Sequence, residues 1–489
     1  MNKKVKYYTD KIWYGTGAIG LDLSYGMFYE KLYYYQTNIL KLDTKFLLIL
    51  SSLARVWDGV NDPMMGSLVD NTNTKFGRYR PWVVTGAALN AVILFLLFFN
   101  PGLRTGTGAV GVYVYAAVMY VLWGMTNTAA DIPYWSMVPS FTTDPKERSL
   151  LSTVARAFSG LGQGIVSIIA PVILNKFGTY NEAIKGYDWT AKGYIVCASV
   201  FAGMLVFFAL LSMSRVKETA HEKAKEKFSF RTIFEVLRHN DQLRVFILFA
   251  LLSNTGFYTV SGVKDHFFKV VVAAESTAGW FTLSKFNLFM TVGSVLGLVV
   301  VPIMLKFTSR RRIYQTSLLV AIAGYAGMSF SGLAHQWLLM SISYFVNQIG
   351  TASMFVSQTV FLSDVVDYGE VKMGRRKESV TFSMKGFLQK MAYTVQTIIL
   401  NLTLSIVHYN KETDLISSGA QTLYSRRVVN GIKGIMYIVP AICFILSLIV
   451  FSTKFKLHGA YMEDITAQVT AAREERIREA EAGAEEAGS

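Results

Sequence analysis

The sequence predicts an all-α membrane protein of twelve transmembrane helices in two six-helix bundles, with both termini in the cytoplasm. Three observations predict it. Of the 489 residues 52% are hydrophobic, mean hydropathy is +0.34, and only 17% are charged, against about 25% in an ordinary soluble chain. Apolar runs long enough to cross a bilayer, which takes roughly 20 residues, recur about twelve times. The charge that remains is lopsided, with 48 Lys and Arg against 33 Asp and Glu and a net charge of +15. In a soluble protein such an excess would suggest nucleic acid; in a chain this apolar it suggests basic loops on the cytoplasmic face, and no nucleic acid is expected.

The first six spans are read at 12–38, 44–69, 81–100, 110–139, 150–176 and 191–213. The second six are read at 242–270, 278–306, 313–332, 337–366, 378–407 and 431–452. The first, seventh and eleventh are the most polar. Residues Met1–Asp10 are polar and no small-residue cleavage site follows, so span one is expected to insert uncleaved. Basic residues gather in alternate connections: Lys75, Arg78 and Arg80, then Lys306 and Arg310–Arg312, then Lys372 and Arg375–Lys377. The middle connection is likewise basic, and this asymmetry places it and both termini inside. The domains are then 1–213, a middle loop at 214–241, 242–453, and a tail at 454–489 whose end, Arg473–Ser489, reads as a short solvated helix running into disorder. A faint repeat relates the halves, a plan common in secondary transporters.

Charges inside spans are costly and usually functional. Span two holds Arg55, Asp58, Asn61 and Asp62 ahead of Pro63. Arg55, Asp58 and Asp62 fall on one helical face, and a single Arg offsets one of two acids. The remaining negative site suits one hard monovalent cation, Na⁺, or a proton; the structural alternative is an Arg55–Asp58 pair with a solvated Asp62. Span four sets Thr128, Asp131 and Trp135 on one face. A carboxylate that accepts from hydroxyls, beside a flat ring that covers C–H bonds, makes a sugar platform. Arg156 in span five orients Asp131 or donates to sugar oxygens, and its alternative is an interhelical staple to Asp131. Asp22 in span one and Lys390 in span eleven add two further charges inside spans. Glu30-Lys31 is read as interfacial, with reach into the substrate path as the alternative, and the six histidines, His266 among them, carry no assigned role.

Enzyme motifs are missing. No Walker A run, HExxH or GxSxG is present, so no ATP hydrolysis and no enzymatic activity is expected. Cys197 and Cys443 lie in apolar runs and support neither a disulfide framework nor a metal site.

Three blocks carry a resemblance. Asp58-Gly-Val-Asn-Asp62-Pro63 is followed by Gly66 and Lys75-Phe-Gly-Arg78-Tyr-Arg80-Pro81-Trp82. Next comes Trp123-Gly-Met-Thr-Asn-Thr128-Ala-Ala-Asp131-Ile-Pro133-Tyr-Trp135, and last Asp364-Val-Val-Asp367-Tyr368-Gly369-Glu370 leading to Glu378-Ser379. Together they resemble the glycoside–pentoside–hexuronide:cation symporters, the melibiose-carrier-like family of the major facilitator superfamily, over about residues 12–455.

The resemblance implies the major facilitator fold and sugar uptake driven by a Na⁺ or H⁺ gradient through alternating access. It implies a monomer in the bacterial cytoplasmic membrane, with a small sugar and a monovalent cation as partners and no cofactor. By resemblance Asp58 and Asp62 are the cation-site acids, with Asn61 and Thr128 beside them. Asp22, Asp131, Trp135, Arg156 and Lys390 face the sugar. Arg78, Arg80, Asp367 and Arg376 belong to a cytoplasmic gate, with Asp364 and Arg55 in supporting positions. Leu21, Phe355 and Gly386 stand where melibiose-type carriers have Lys, Trp and Thr. All three lie near the sugar, so the resemblance does not extend to α-galactoside specificity. Two alternatives are a lysolipid or other amphiphile:Na⁺ symporter of the same fold, and a polytopic membrane enzyme acting on lipid-linked sugars.

Overall fold

Backbone amides in hydrocarbon have no water to bond, so a chain of long apolar runs satisfies them within helices. The computed structural model describes residues 3–72, 74–105, 109–138, 145–181, 186–216, 230–272, 283–333, 336–374, 378–417, 420–421 and 423–471. Among these the chain is helical almost throughout. In the first half, α1 (Lys3–Gly26) passes through a π-helical stretch (Met27–Leu32) into α2 (Tyr33–Asn38). Then follow α3 (Thr44–Asp70), α4 (Arg80–Leu97), α5 (Val110–Ser136), α6 (Pro145–Lys176) and α7 (Ala191–Arg215). The second half holds α8 (Phe230–His239) and α9 (Asp241–Phe267), which ends in a π-helical stretch (Phe268–Val272). It continues with α10 (Leu283–Met304), α11 (Arg310–Leu333), α12 (Trp337–Met373), α13 (Glu378–Ile406), α14 (Tyr409–Ser417), α15 (Arg426–Lys433) and α16 (Val439–Lys454), the last two joined by a third π-helical stretch (Gly434–Ile438).

Among the described residues, a pair of strands departs from an all-α chain between α6 and α7. Strands β1 (Thr179–Asn181) and β2 (Gly186–Asp188) pair antiparallel, with Tyr180 opposite Tyr187. Tyr180 and Tyr187 pack edge to face, a cross-strand contact of the kind that stabilises a short hairpin. Trp189 then donates to Asn175 Oδ1 at 2.8 Å and ties the hairpin's exit to the end of α6.

Nine of the described helical segments are long and apolar enough to cross a membrane, and ten if the bent pair Gly386–Ile406 and Tyr409–Ile416 is one span. Helices α1 and α3 fall outside that set although α3 has 27 residues. Their apolar runs are interrupted by Asp22, Glu30 and Lys31 in the first helical run and by Arg55, Asp58 and Asp62 in α3.

The chain forms two compact units. The first comprises 1–226, 259–288 and 396–436; the second comprises 227–258, 289–395 and 437–489. In the first, α1 packs on α6 and α7, α4 on α5 and α7, and α3 on α5. Small residues allow these approaches. A Cβ on Gly86 would lie 2.7 Å from the backbone of Ala129 and Ala130, so α4 presses on α5 two residues ahead of Asp131. Polar side chains link the same helices: Ser24 donates to Asn90, Trp123 Nε1 donates to Ser24 Oγ at 3.0 Å, and Asn90 donates to Thr126 at 3.0 Å. In the second unit α11 packs on α12 and α16, and Phe249, Tyr314, Phe361 and Phe451 form an aromatic cluster.

Candidate functional site: two charge clusters that meet on one helix

On α3, Arg55 and Asp58 are one turn apart and bonded, Arg55 Nη1 to Asp58 Oδ2 at 2.9 Å. The same guanidinium donates to Tyr29 Oη at 3.2 Å and lies 5.5 Å from that ring. Asp62, a turn further on, accepts from Thr128 Oγ1 of α5 at 3.1 Å. Helix α5 reaches α3 here through Gly124, whose Cβ would stand 3.5 Å from Asp58 Oδ1. Arg55 offsets one carboxylate, so the three ionisable groups carry one net negative charge. The buried neighbours Asn61 and Asn127 each keep one amide atom, Nδ2 and Oδ1, without a hydrogen-bond partner among the described residues. Carboxylate, hydroxyl and amide oxygens are the hard donors that a small monovalent cation takes.

The second cluster starts one turn along α5. Trp135 Nε1 donates to Asp131 Oδ1 at 3.0 Å, an i,i+4 bond along one face. The Arg156 guanidinium of α6 lies 3.9 Å over the Trp135 ring. Asp22 of α1 accepts from Ser159, one turn beyond Arg156, and both Arg156 and Asp131 act on it electrostatically. Gly162 permits this approach: a Cβ there would be 2.6 Å from Ile19 O and 3.0 Å from Asp22 Cβ. Asp22, Asp131 and Trp135 are half-buried and Arg156 is exposed, so the cluster opens onto accessible space. Tyr25 stands between the clusters, near Asn127 and within electrostatic reach of Asp131 and Asp22.

Phe355 and Lys390 belong to the second unit. Phe355 on α12 packs edge to face on Phe257 at 5.1 Å, and Lys390 on α13 is half-buried. In that unit Arg310 pairs with Asp364 at 3.0 Å, and Asp367 lies one turn further along α12, half-buried. In the first unit Arg78 Nε donates to Val69 O at 3.0 Å, and Arg80 donates twice to Met213 O, at 3.1 and 2.6 Å. Both arginines therefore hold carbonyls near the ends of α3 and α7, where intrahelical donors run out. Arg376 lies outside the described residues, as does the tail from 472.

Glu30 and Lys31 turn into the protein and not out to its surface. Lys31 is fully buried and bonded to Asp265, and Glu30 is bonded to Lys264 and Ser167. The signal available in the sequence was a second adjacent acid–base pair, Lys264-Asp265, in the seventh span. His266 beside it is buried among Tyr33, Tyr34 and Tyr409, with Thr37 Oγ1 3.4 Å from its Nε2.

The family model described as "MFS/sugar transport protein" matches residues 13–459. The isoprimeverose transporter of Lactiplantibacillus pentosus is 26% identical over 451 residues, covering 92% of this chain and 89% of that protein. The raffinose carrier protein of Pediococcus pentosaceus is 24% identical over 482 residues, covering 95% of this chain and 72% of its own. The inner membrane symporter YicJ of Escherichia coli is 24% identical, covering 96% of each. Among solved structures, a bacterial homolog of the human lysosomal transporter Spinster superposes with a TM-score of 0.60 at 12% identity, over 92% of this chain and 98% of that one. The nucleoside transporter NupG does so with a TM-score of 0.57 at 13% identity, over 93% of this chain and 100% of that one. At that identity they show a shared fold. With the family match running from 13 to 459, the chain belongs to the MFS sugar-transport family in its melibiose-carrier-like branch, and is a transporter, not an enzyme, that crosses the bacterial inner membrane many times.

Proposed function

We propose that the protein is a symporter that takes up a glycoside, pentoside or hexuronide together with Na⁺ or H⁺, cycling between two access states. Twelve spans follow if α1 with its continuation and α3 join the ten apolar segments, and the basic connections then put both termini inside. One observation carries the reading: α5 presents Thr128 to Asp62 and, within the next two turns, an Asp131–Trp135 pair whose indole ring lies under Arg156. A cation drawn to Asp58 and Asp62 neutralises the net negative charge beside α5 and takes oxygen donors from the same helix. Asp131 would then orient sugar hydroxyls, Trp135 cover the apolar face of the ring, and Arg156 and Asp22 bond its remaining oxygens. Binding of either ligand thus fixes one helix for the other, which is the physical content of coupling.

The test is uptake into vesicles containing the purified protein. A panel of labelled glycosides, pentosides and uronates is offered with a Na⁺ gradient, with a proton gradient, and with neither. Accumulation above the outside concentration is expected for at least one sugar under one gradient, and its loss is expected in Asp62→Ala. Concentrative uptake that survives Asp62→Ala would overturn the cation assignment.

A further inference from the structure

Four charged side chains outside both clusters are buried together. Lys31 Nζ bonds both oxygens of Asp265 at 2.9 Å, and Lys264 Nζ bonds Glu30 Oε2 at 2.8 Å. Exposure of these side chains is 0% for Lys31 and Lys264, 1% for Asp265 and 11% for Glu30. Ser167 of α6 donates to Glu30 at 2.6 and 2.8 Å and lies 3.5 Å from Lys264, and Lys31 stands 5.5 Å from the Trp189 ring. The two pairs share one sequence offset, 234 residues, so the helices meet in parallel register. Glu30-Lys31 lies in the π-helical stretch after α1, and Lys264-Asp265 stands in the last turn of α9, two residues short of the π-helical stretch that follows it. Such stretches occur frequently at functional sites.

Burial of four charges is poor design for stability alone, since apolar residues of the same size would pack there at lower cost. The arrangement has another property. In each helix the acid and the base are adjacent, so each strip is neutral by itself, while the contact between strips is a checkerboard of two attractions and two diagonal repulsions. The quartet can therefore separate without leaving a net charge on either side. Around it, Tyr33 donates to Asn401 at 2.7 Å, Tyr409 to Asn38 at 2.8 Å and Lys269 to Asn38 at 3.3 Å, a collar of breakable polar contacts. Helix α9 begins in the second unit and ends, with Lys264 and Asp265, in the first. Glu30 lies eight residues beyond Asp22, or about 12 Å along a helix at 1.5 Å per residue, away from the sugar cluster toward the α2 end.

We propose that Glu30, Lys31, Lys264 and Asp265 form a separable charge clamp that shuts one mouth of the transport path and opens once in each cycle. This rests on the transporter reading above and adds to it the residues that close the side remote from the N-terminus. The clamp is built so that closing gains two ion pairs and opening costs no net charge on either strip, a bistable contact of the kind that switching proteins use.

The test reads the mouth without using a sugar. Thr37→Cys, in a background with Cys197→Ser and Cys443→Ser, is labelled by a charged, membrane-impermeant thiol reagent applied to the outside of cells. Asp265→Ala leaves Lys31 charged and unpaired, so the open, hydrated mouth gains and labelling quickens by about 100-fold. The exchange Lys31→Asp with Asp265→Lys makes one strip doubly negative and the other doubly positive. All four contacts between strips then attract, and labelling slows by about tenfold or more below the parent rate. Reversing all four charges together restores the checkerboard and the parent rate. Exchange variants that label at the parent rate or faster would overturn the proposal, and they decide it even if Asp265→Ala fails to reach the membrane. A parent that shows this labelling pattern yet accumulates no sugar would refute symport and leave the clamp standing.

Discussion

The Arg156 guanidinium lies over the Trp135 ring, 3.9 Å from its centroid, while the indole N–H of the same tryptophan donates to Asp131 at 3.0 Å. One aromatic residue therefore orders a cation above it and an anion at its edge. Trp135→Phe keeps the face and loses the edge bond. It is expected to weaken sugar binding by about fivefold, the worth of one hydrogen bond near 1 kcal/mol. Arg156→Lys keeps the charge but replaces a planar, stacked fork by a point charge, so it should cost more than Trp135→Phe. Titration of purified protein with the transported sugar checks both, and equal losses in the two variants would show that the stacking geometry is immaterial.

The two acids of α3 should answer differently to neutralisation. Asp58 is tied to Arg55 at 2.9 Å in a site where both side chains are nearly buried. Asp58→Asn leaves that arginine without its counter-charge, and is expected to lower stability by about 3 kcal/mol. Thr128→Val removes only the hydroxyl that Asp62 accepts from at 3.1 Å. It should reduce apparent cation affinity by about fivefold and leave the melting temperature near that of the parent. Thermal unfolding in detergent and the Na⁺ or proton dependence of uptake separate the two effects.

How far the sequence could be read depends on the distance between partners. The acids of α3 and the Thr128, Asp131, Trp135 face of α5 are legible because helical periodicity alone sets them together. The same charges keep α1 and α3 out of the apolar set of spans, so composition underrates the helices that matter most to the site. Pairing across 234 residues left no such trace. Adjacent Glu30 and Lys31 look like an interfacial pair until Lys264 and Asp265 are set beside them. The hairpin of Thr179–Asn181 with Gly186–Asp188 was hidden for another reason, since three-residue strands carry too little periodicity to register.

Gly162 offers a test of how tightly α6 must approach α1. A Cβ at that position would lie 2.6 Å from Ile19 O, a backbone atom that cannot swing aside, and 3.0 Å from Asp22 Cβ. Gly162→Ala is expected to destabilise by about 1–3 kcal/mol and to displace Asp22, weakening sugar binding as well. Gly160, two residues earlier, has open space where its Cβ would go. Gly160→Ala should not destabilise and should gain up to about 1 kcal/mol from the lower chain entropy of Ala in a helix. Parallel thermal unfolding and sugar titration of the two variants give the comparison, and a harmless Gly162→Ala would mean that the helices separate without loss.

The pair of Arg310 and Asp364 is lopsided, and the asymmetry predicts which half matters. The arginine side chain is 57% exposed and the carboxylate 7%, at a separation of 3.0 Å. Asp364→Asn leaves a cation that water can solvate, and should cost less than about 1 kcal/mol. Arg310→Ala leaves a buried carboxylate with Asp367 one turn away acting on it as a like charge, and should cost about 1–3 kcal/mol. Salt provides the cross-check. Near 1 M salt, where the Debye length is about 3 Å, an exposed guanidinium is screened and the parent should lose part of the pair's contribution. Arg310→Ala has no such contribution to lose, so its melting temperature should fall less with salt than the parent's. Equal salt responses in the two proteins would place the stabilisation elsewhere.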